Sequence, residues 1–270
     1  MSILAKKQLK MSKIRSKKHK KKLFSLIFVF VFCILFFLLI INISDIFSSL
    51  ITNKGSLFYQ KKLETQSYIV YSVSLENFDN IEDANLYAVK TQQQGGAGFV
   101  YESGEKYVLV SSYPTLSQAK EIKENLTNLG YNSKVLNLKV DELLIDYKGD
   151  NSALFLESLN FFKSTYQKLQ SSTISFDKQS INQKELNSIL ANMLTQLSQL
   201  QSNMQTLSQS QDLVLKDAFS VPLDETKKLI EELFYFVGED NIYTSKLKQT
   251  AIKIVILNKN LVNKINAMQN

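Results

Sequence analysis

From residue 44 to the C-terminus the chain contains no histidine and no cysteine. That absence removes Ser–His–Asp and Cys–His nucleophilic sites, and zinc sites built on those ligands. Carboxylate pairs remain, the residue type that glycosidases use as acid and base. Two pairs stand out, Asp141 with Glu142 and Glu231 with Glu232. Neighbours on a helix do not face each other, so both pairs read as solvated surface. Gly95-Gly96-Ala97-Gly98 lacks the spacing of a phosphate-binding loop and follows a helical segment instead of opening one. It reads as a helix stop and turn. No catalytic residue, metal ligand or cofactor is expected, and what remains for function is binding.

The elements that would position a binding surface begin after an unusual N-terminus. Residues 1–22 hold ten Lys or Arg and no acid, and His19 lies among them. The remainder has 22 basic and 25 acidic side chains, a net of −3, so the overall charge of +7 belongs to the tail. A mildly acidic body is not that of a nucleic-acid binder, and no nucleic-acid partner is expected. Leu23 to Ile43 is an uncharged run that includes Cys33, the single cysteine, so no internal disulfide is available. At helical rise the run is roughly 31 Å long, the thickness of a hydrocarbon core. The sequence therefore predicts a basic cytoplasmic tail (1–22) and an uncleaved transmembrane helix (23–43). A spacer (44–66) follows, with the body on the far side of a plasma membrane by the positive-inside rule.

Residues 67–140 alternate between strand and helix signals. Tyr68–Leu75 is β-branched and aromatic. Residues 81–94 are helical and stop at Gly95-Gly96. Phe99–Tyr101, a Gly104 turn and Tyr107–Val110 read as a hairpin. A helix opens after Pro114 with Thr115 as N-cap and places Leu116, Ala119, Ile122, Leu126 and Leu129 at helical spacing, ending at Gly130. Asn132–Leu138 closes the module. The order βαββαβ makes a four-stranded antiparallel sheet with two helices on one face. Strict alternation sends Val70 and Val108 to the helix-covered face. The opposite face then offers Ile69, Tyr71, Val73, Tyr101, Tyr107, Leu109 and Ser111.

These residues carry a resemblance. Tyr68-Ile69-Val70-Tyr71-Ser72-Val73-Ser74-Leu75, and Tyr107–Tyr113 followed by Ser117-Gln118-Ala119, Leu126 and Gly130-Tyr131, resemble the two half-repeats of SPOR (sporulation-related repeat) domains of bacterial cell-envelope proteins. The chain departs from the family pattern at Tyr71, Val73, Ser111 and Ser112. The resemblance implies a non-catalytic binder of peptidoglycan glycan strands. A tyrosine suits such a partner, because its ring packs on a sugar while its hydroxyl hydrogen-bonds.

Residues 150–270 read as a helical bundle. Phe155, Leu159, Phe162, Tyr166 and Leu169 step by 4, 3, 4, 3. Leu186, Leu190, Met193, Leu197, Leu200, Met204 and Leu207 keep that rhythm, with no charged residue between Glu185 and Asp212. A shorter helix is expected after Pro222 and a break at Gly238. The last helix has Leu247, Ile254, Leu261 and Met268 on one stripe, interrupted by Asn258 as a buried polar contact. The bundle would dock a protein partner or self-associate. The fold class expected is thus α+β: a transmembrane helix, a SPOR-like module and a bundle. The function expected is a membrane-anchored, peptidoglycan-binding protein of cell division, sporulation or wall remodelling. The alternative is an envelope scaffold whose modules bind protein and not glycan.

Overall fold

The structure, a computed structural model, describes residues 61–147, 149–208 and 210–268. Its elements in chain order are β1 (Lys61–Thr65), β2 (Tyr68–Phe78), α1 (Ile81–Gln93), β3 (Phe99–Ser103), β4 (Glu105–Tyr113), α2 (Leu116–Asn128), β5 (Ser133–Val140), β6 (Leu143–Tyr147), α3 (Ser152–Asp177), α4 (Gln183–Gln205), α5 (Ser210–Phe234) and α6 (Asp240–Ala267).

The main sheet has the strand order β3-β4-β2-β5, antiparallel throughout. The βαββαβ order read from the sequence is present. Its helix boundaries follow local chemistry. The Asn80 side chain caps α1 by accepting from the Asp83 amide at 2.7 Å. Thr115 caps α2, accepting from the Gln118 amide at 3.4 Å. Gly95 ends α1 at φ +80, where its amide donates to Gln92 O and that of Gly96 donates to Thr91 O. Only a residue without a Cβ adopts that turn freely. A second, two-stranded sheet pairs β1 with β6. β1 falls in the stretch expected to be a spacer.

Helices α3 to α6 form a ring in which each packs on the next and α6 returns to α3. The predicted stripes face inward: Phe155, Phe162, Leu169, Leu186, Leu190, Leu197, Leu247 and Ile254 are all fully buried. The α4 start is fixed by a capping box, with Asn182 and Glu185 each accepting the other's amide at 3.0 and 2.9 Å. The break expected at Pro222 is corrected: α5 runs from Ser210 to Phe234 with Pro222 inside it. Leu215, Ala218 and Phe219 before the proline, and Leu223 and Ile230 after it, are all buried, so packing on both sides holds the helix through a residue that disfavours it. Met268, placed on the α6 stripe, is 45% exposed just beyond the helix end.

The fold class is corrected in its membrane part. Six helices and two small sheets make the described residues α+β, but among them no helix is long and apolar enough to cross a membrane. Even the long α3 carries Glu157, Lys163 and Lys168 along its length. The tail 1–22, the run 23–43 and most of the spacer lie outside the described residues. The expectation of a single-pass protein in the plasma membrane, and the keywords tied to it, are withdrawn.

Helices α3 and α6 close over the main sheet. A single apolar cluster joins Val70, Leu109, Leu138 and Val140 of the sheet to Phe162, Ile254, Leu261 and Val262 of the helices. The opposite face is covered by α1 and α2, where Ala84 and Ala88 pack on Val108. The expectation that Val70 and Val108 share a face is therefore corrected. The register shift between Val73 and Ser74 explains it: Val110 is an extra residue in β4, so Val108 pairs with Leu75, on the face opposite Val70. An extra residue in one strand reverses the alternation beyond it. A second shift, between Leu75 and Asn77, lies past this pair at Glu76, which adopts φ 45.

Candidate functional site

The residues expected to form one glycan-binding face do not share a face. The register pairs Tyr101 with Tyr107 and Phe99 with Leu109, and Leu109 with Ser74. These sit on the side that α6 closes. Val73 pairs with Ser111 and Tyr71 with Tyr113, across the shift, on the other side. Burial divides them again. Val73 and Leu109 are 0% exposed and Ser111 is 5% exposed, whereas Ile69 is 38% exposed. Tyr71, Tyr101 and Tyr107 are half-buried.

The tyrosine hydroxyls on the closed side already have partners within the chain. Lys259 of α6 donates to the Tyr101 hydroxyl at 3.5 Å. The Tyr107 hydroxyl donates to Glu105 at 2.6 Å, which holds its pKa above the ordinary value. Tyr68, absent from the expected site, is held by two helices. Asn258 Nδ2 donates to its hydroxyl at 2.9 Å, and Lys163 Nζ stands 5.1 Å from its ring centroid. Burial raises the Tyr68 pKa, and the Asn258 hydrogen bond partly opposes that. Asn258, the polar break in the α6 stripe, is thus the contact the sequence signalled, with its partner now identified. No sequence signal marked Lys163 or Lys259, because lysines on a helix surface are ordinary.

Further along the seam the contacts stay polar. Lys248 of α6 donates to Gly95 O at 3.0 Å and pairs with Asp177 at 3.0 Å. Asn241 donates to Gln93 O at 2.9 Å. The end of α1 is in this way stitched to the start of α6. Tyr166, from α3, is 2% exposed against the sheet. Burial pushes its hydroxyl well above the ordinary tyrosine range, and that hydroxyl has no hydrogen-bond partner in the structure.

The acidic pairs are at the surface. Asp141 pairs with Lys139 at 2.7 Å and Glu231 with Lys227 at 4.0 Å. Among the described residues no cluster of three or more His, Cys, Asp or Glu is placed to hold a metal ion. Among the described residues one carboxylate is fully buried, Asp212 at the start of α5, and it accepts from the Tyr147 hydroxyl and from Asn151 Nδ2. That group ties the β6–α3 corner to α5. Both its carboxylate oxygens are engaged, which suits a structural fastening.

No protein-family model, curated protein or solved structure matches this chain. Nothing in these comparisons shows a SPOR domain.

Proposed function

We propose that this chain is a non-catalytic binding protein that acts by recognising a protein partner. The observation that carries the reading is the closure of the main sheet by α6. The face that would meet a glycan strand is filled by the chain's own helices, and Tyr68 and Tyr101 are hydrogen-bonded to Asn258 and Lys259. Recognition then falls to the outward surfaces of the helices. The outer side of α4 presents Ser188, Asn192, Gln196, Gln199 and Asn203, all exposed and uncharged. Such a face loses little on desolvation compared with a charged one. The heptad leucines beneath it are buried in the chain's own core, so they are not free to zip with a second copy.

Two measurements on the full chain test this reading. Cosedimentation with purified peptidoglycan sacculi is expected to leave the protein in the supernatant. Retention that Tyr101→Ala or Tyr107→Ala abolishes would overturn the protein-partner reading in favour of glycan binding. A photo-crosslinking side chain at Asn192 or Gln199 is expected to give one discrete protein adduct in cells, and the same group at Leu144 none. Equal adducts from both positions would count against α4 as the docking face.

A further inference from the structure

A cleft of about 290 Å³ opens at one end of the sheet–helix seam, between the β1–β2 turn, β5, α3 and α6. Its floor is apolar: Val140, Leu159 and Val262 are 2%, 4% and 1% exposed. Against this floor stands Asn258, 3% exposed. Its Nδ2 is used by the Tyr68 hydroxyl, and its Oδ1 has no donor. Buried carbonyl oxygens are nearly always paired, so an orphan that lines a cleft calls for an explanation. The Tyr68 oxygen accepts from Asn258, which leaves the phenol proton to give. The cleft therefore sets a buried acceptor and a donor side by side next to an apolar floor, with Glu64, Asn160 and Lys163 also in its lining.

We infer that this cleft takes a single residue of an extended peptide, with an aliphatic side chain on the floor. In an extended strand the N–H and C=O of one residue point the same way. That pair is the converse of what the cleft presents: the peptide N–H meets Asn258 Oδ1, and its carbonyl accepts from the Tyr68 hydroxyl. The volume lies at the small end of ligand sites, which fits one residue and its flanking amides and not a folded surface. The inference rests on the protein-partner reading and narrows it to a peptide segment with an aliphatic anchor.

The test uses N-acetyl-leucine-N-methylamide as probe and the full chain labelled with ¹³C at leucine and valine methyls. Saturable shifts are expected at Val140, Leu159 and Val262, with millimolar affinity for a ligand of that size. Methylating the leucine nitrogen of the probe should weaken binding about tenfold by removing the donor to Asn258. Tyr68→Phe, which keeps the ring and its packing, should weaken it to a similar degree while leaving the methyl dispersion intact. No saturable shift, or shifts unaltered by either change, would overturn the inference and leave a cleft that holds water only. A chain that crosslinks a partner from α4 and ignores the probe would overturn the cleft alone, not the protein-partner reading.

Discussion

The buried Asp212 makes the sharpest quantitative prediction. It is 0% exposed, and so is Tyr147, whose hydroxyl donates to it. Asn151 Nδ2 supplies the second donor at 2.7 Å, and the Asn151 amide donates to the Tyr147 oxygen at 3.2 Å. Tyr147→Phe keeps the ring, and with it the edge-on contact to Phe155 at 5.7 Å between centroids, but removes the phenol. One carboxylate oxygen is then left in a site water does not reach. A hydrogen bond to a charged group contributes about 1.5–3 kcal/mol, and the upper half of that range applies where the abandoned group stays buried. The expected loss is about 2–3 kcal/mol, or a fall in Tm of about 5–10 °C for a body of this size. Urea titration should show a lower midpoint with an unchanged slope. A double-mutant cycle with Asp212→Asn should give a coupling above about 1 kcal/mol. Gly149→Ala attacks the same fastening from the backbone, since a Cβ there would lie 2.7 Å from Asp212 Oδ1. A Tyr147→Phe protein within about 0.5 kcal/mol of the parent, well under the hydrogen-bond range, would refute the claim that this phenol holds the carboxylate.

Two further outcomes follow from burial. The Tyr243 hydroxyl, on a residue 1% exposed, has its pKa pushed up to about 12 by burial. The folded state therefore holds that proton more tightly than the unfolded chain, whose tyrosines titrate near 10. The contribution is complete below pH 10 and is lost as pH rises from 10 to 12. Between pH 9 and 11 the parent should lose about 1.4 kcal/mol more than Tyr243→Phe, read from urea titrations at the two pH values; equal losses would reject the assignment. Leu197, 0% exposed in the α4 seam, is expected to destabilise the chain by about 2–5 kcal/mol when changed to alanine. Its unfolding midpoint should not vary with protein concentration. A concentration-dependent midpoint would mean that the seam is shared between copies.

The parts of the fold legible from sequence are those governed by local rules. Thr115 as a cap, Gly95 and Gly130 as stops, and the 4-3 stripes of α3 and α4 appear where the side-chain pattern put them. β6 was missed, although Leu143, Ile145 and Tyr147 are buried while Leu144 and Asp146 are exposed, the period of two of a half-buried strand. Its partner β1 offers only Leu63 as a buried position, too little for a pattern. α5 was cut at Pro222 because proline disfavours a helix interior, and only tertiary packing on both sides of it overrides that rule. The expected site failed for a reason that periodicity does not contain. The register shift between Val73 and Ser74 changes which residues share a face, and it leaves no mark in hydropathy. Asn258 was visible as a polar interruption, but its partner Tyr68 is 190 residues away in the chain.

The covered sheet face also sets an energetic bound on any ligand that would compete for it. Returning that face to solvent would expose Val70, Leu109, Leu138 and Val140, each at most 2% exposed in the closed structure, together with the α6 residues packed on them. Fully burying a side chain of this kind contributes about 1.5–3 kcal/mol, so these four alone correspond to roughly 6–12 kcal/mol. That is the scale of the entire folding stability of an ordinary domain. A glycan strand binding at the tyrosines would have to supply this difference before showing any net affinity. A ligand at the cleft beside Asn258 has to reach only one buried oxygen and the Tyr68 hydroxyl, without returning that whole face to solvent. The two surfaces therefore predict opposite responses to a substitution that loosens α6 from the sheet. Leu261→Ala should weaken probe binding at the cleft, since the floor is built on the same helix. If instead it created retention on sacculi, the closed face would be the functional one and α6 its cover.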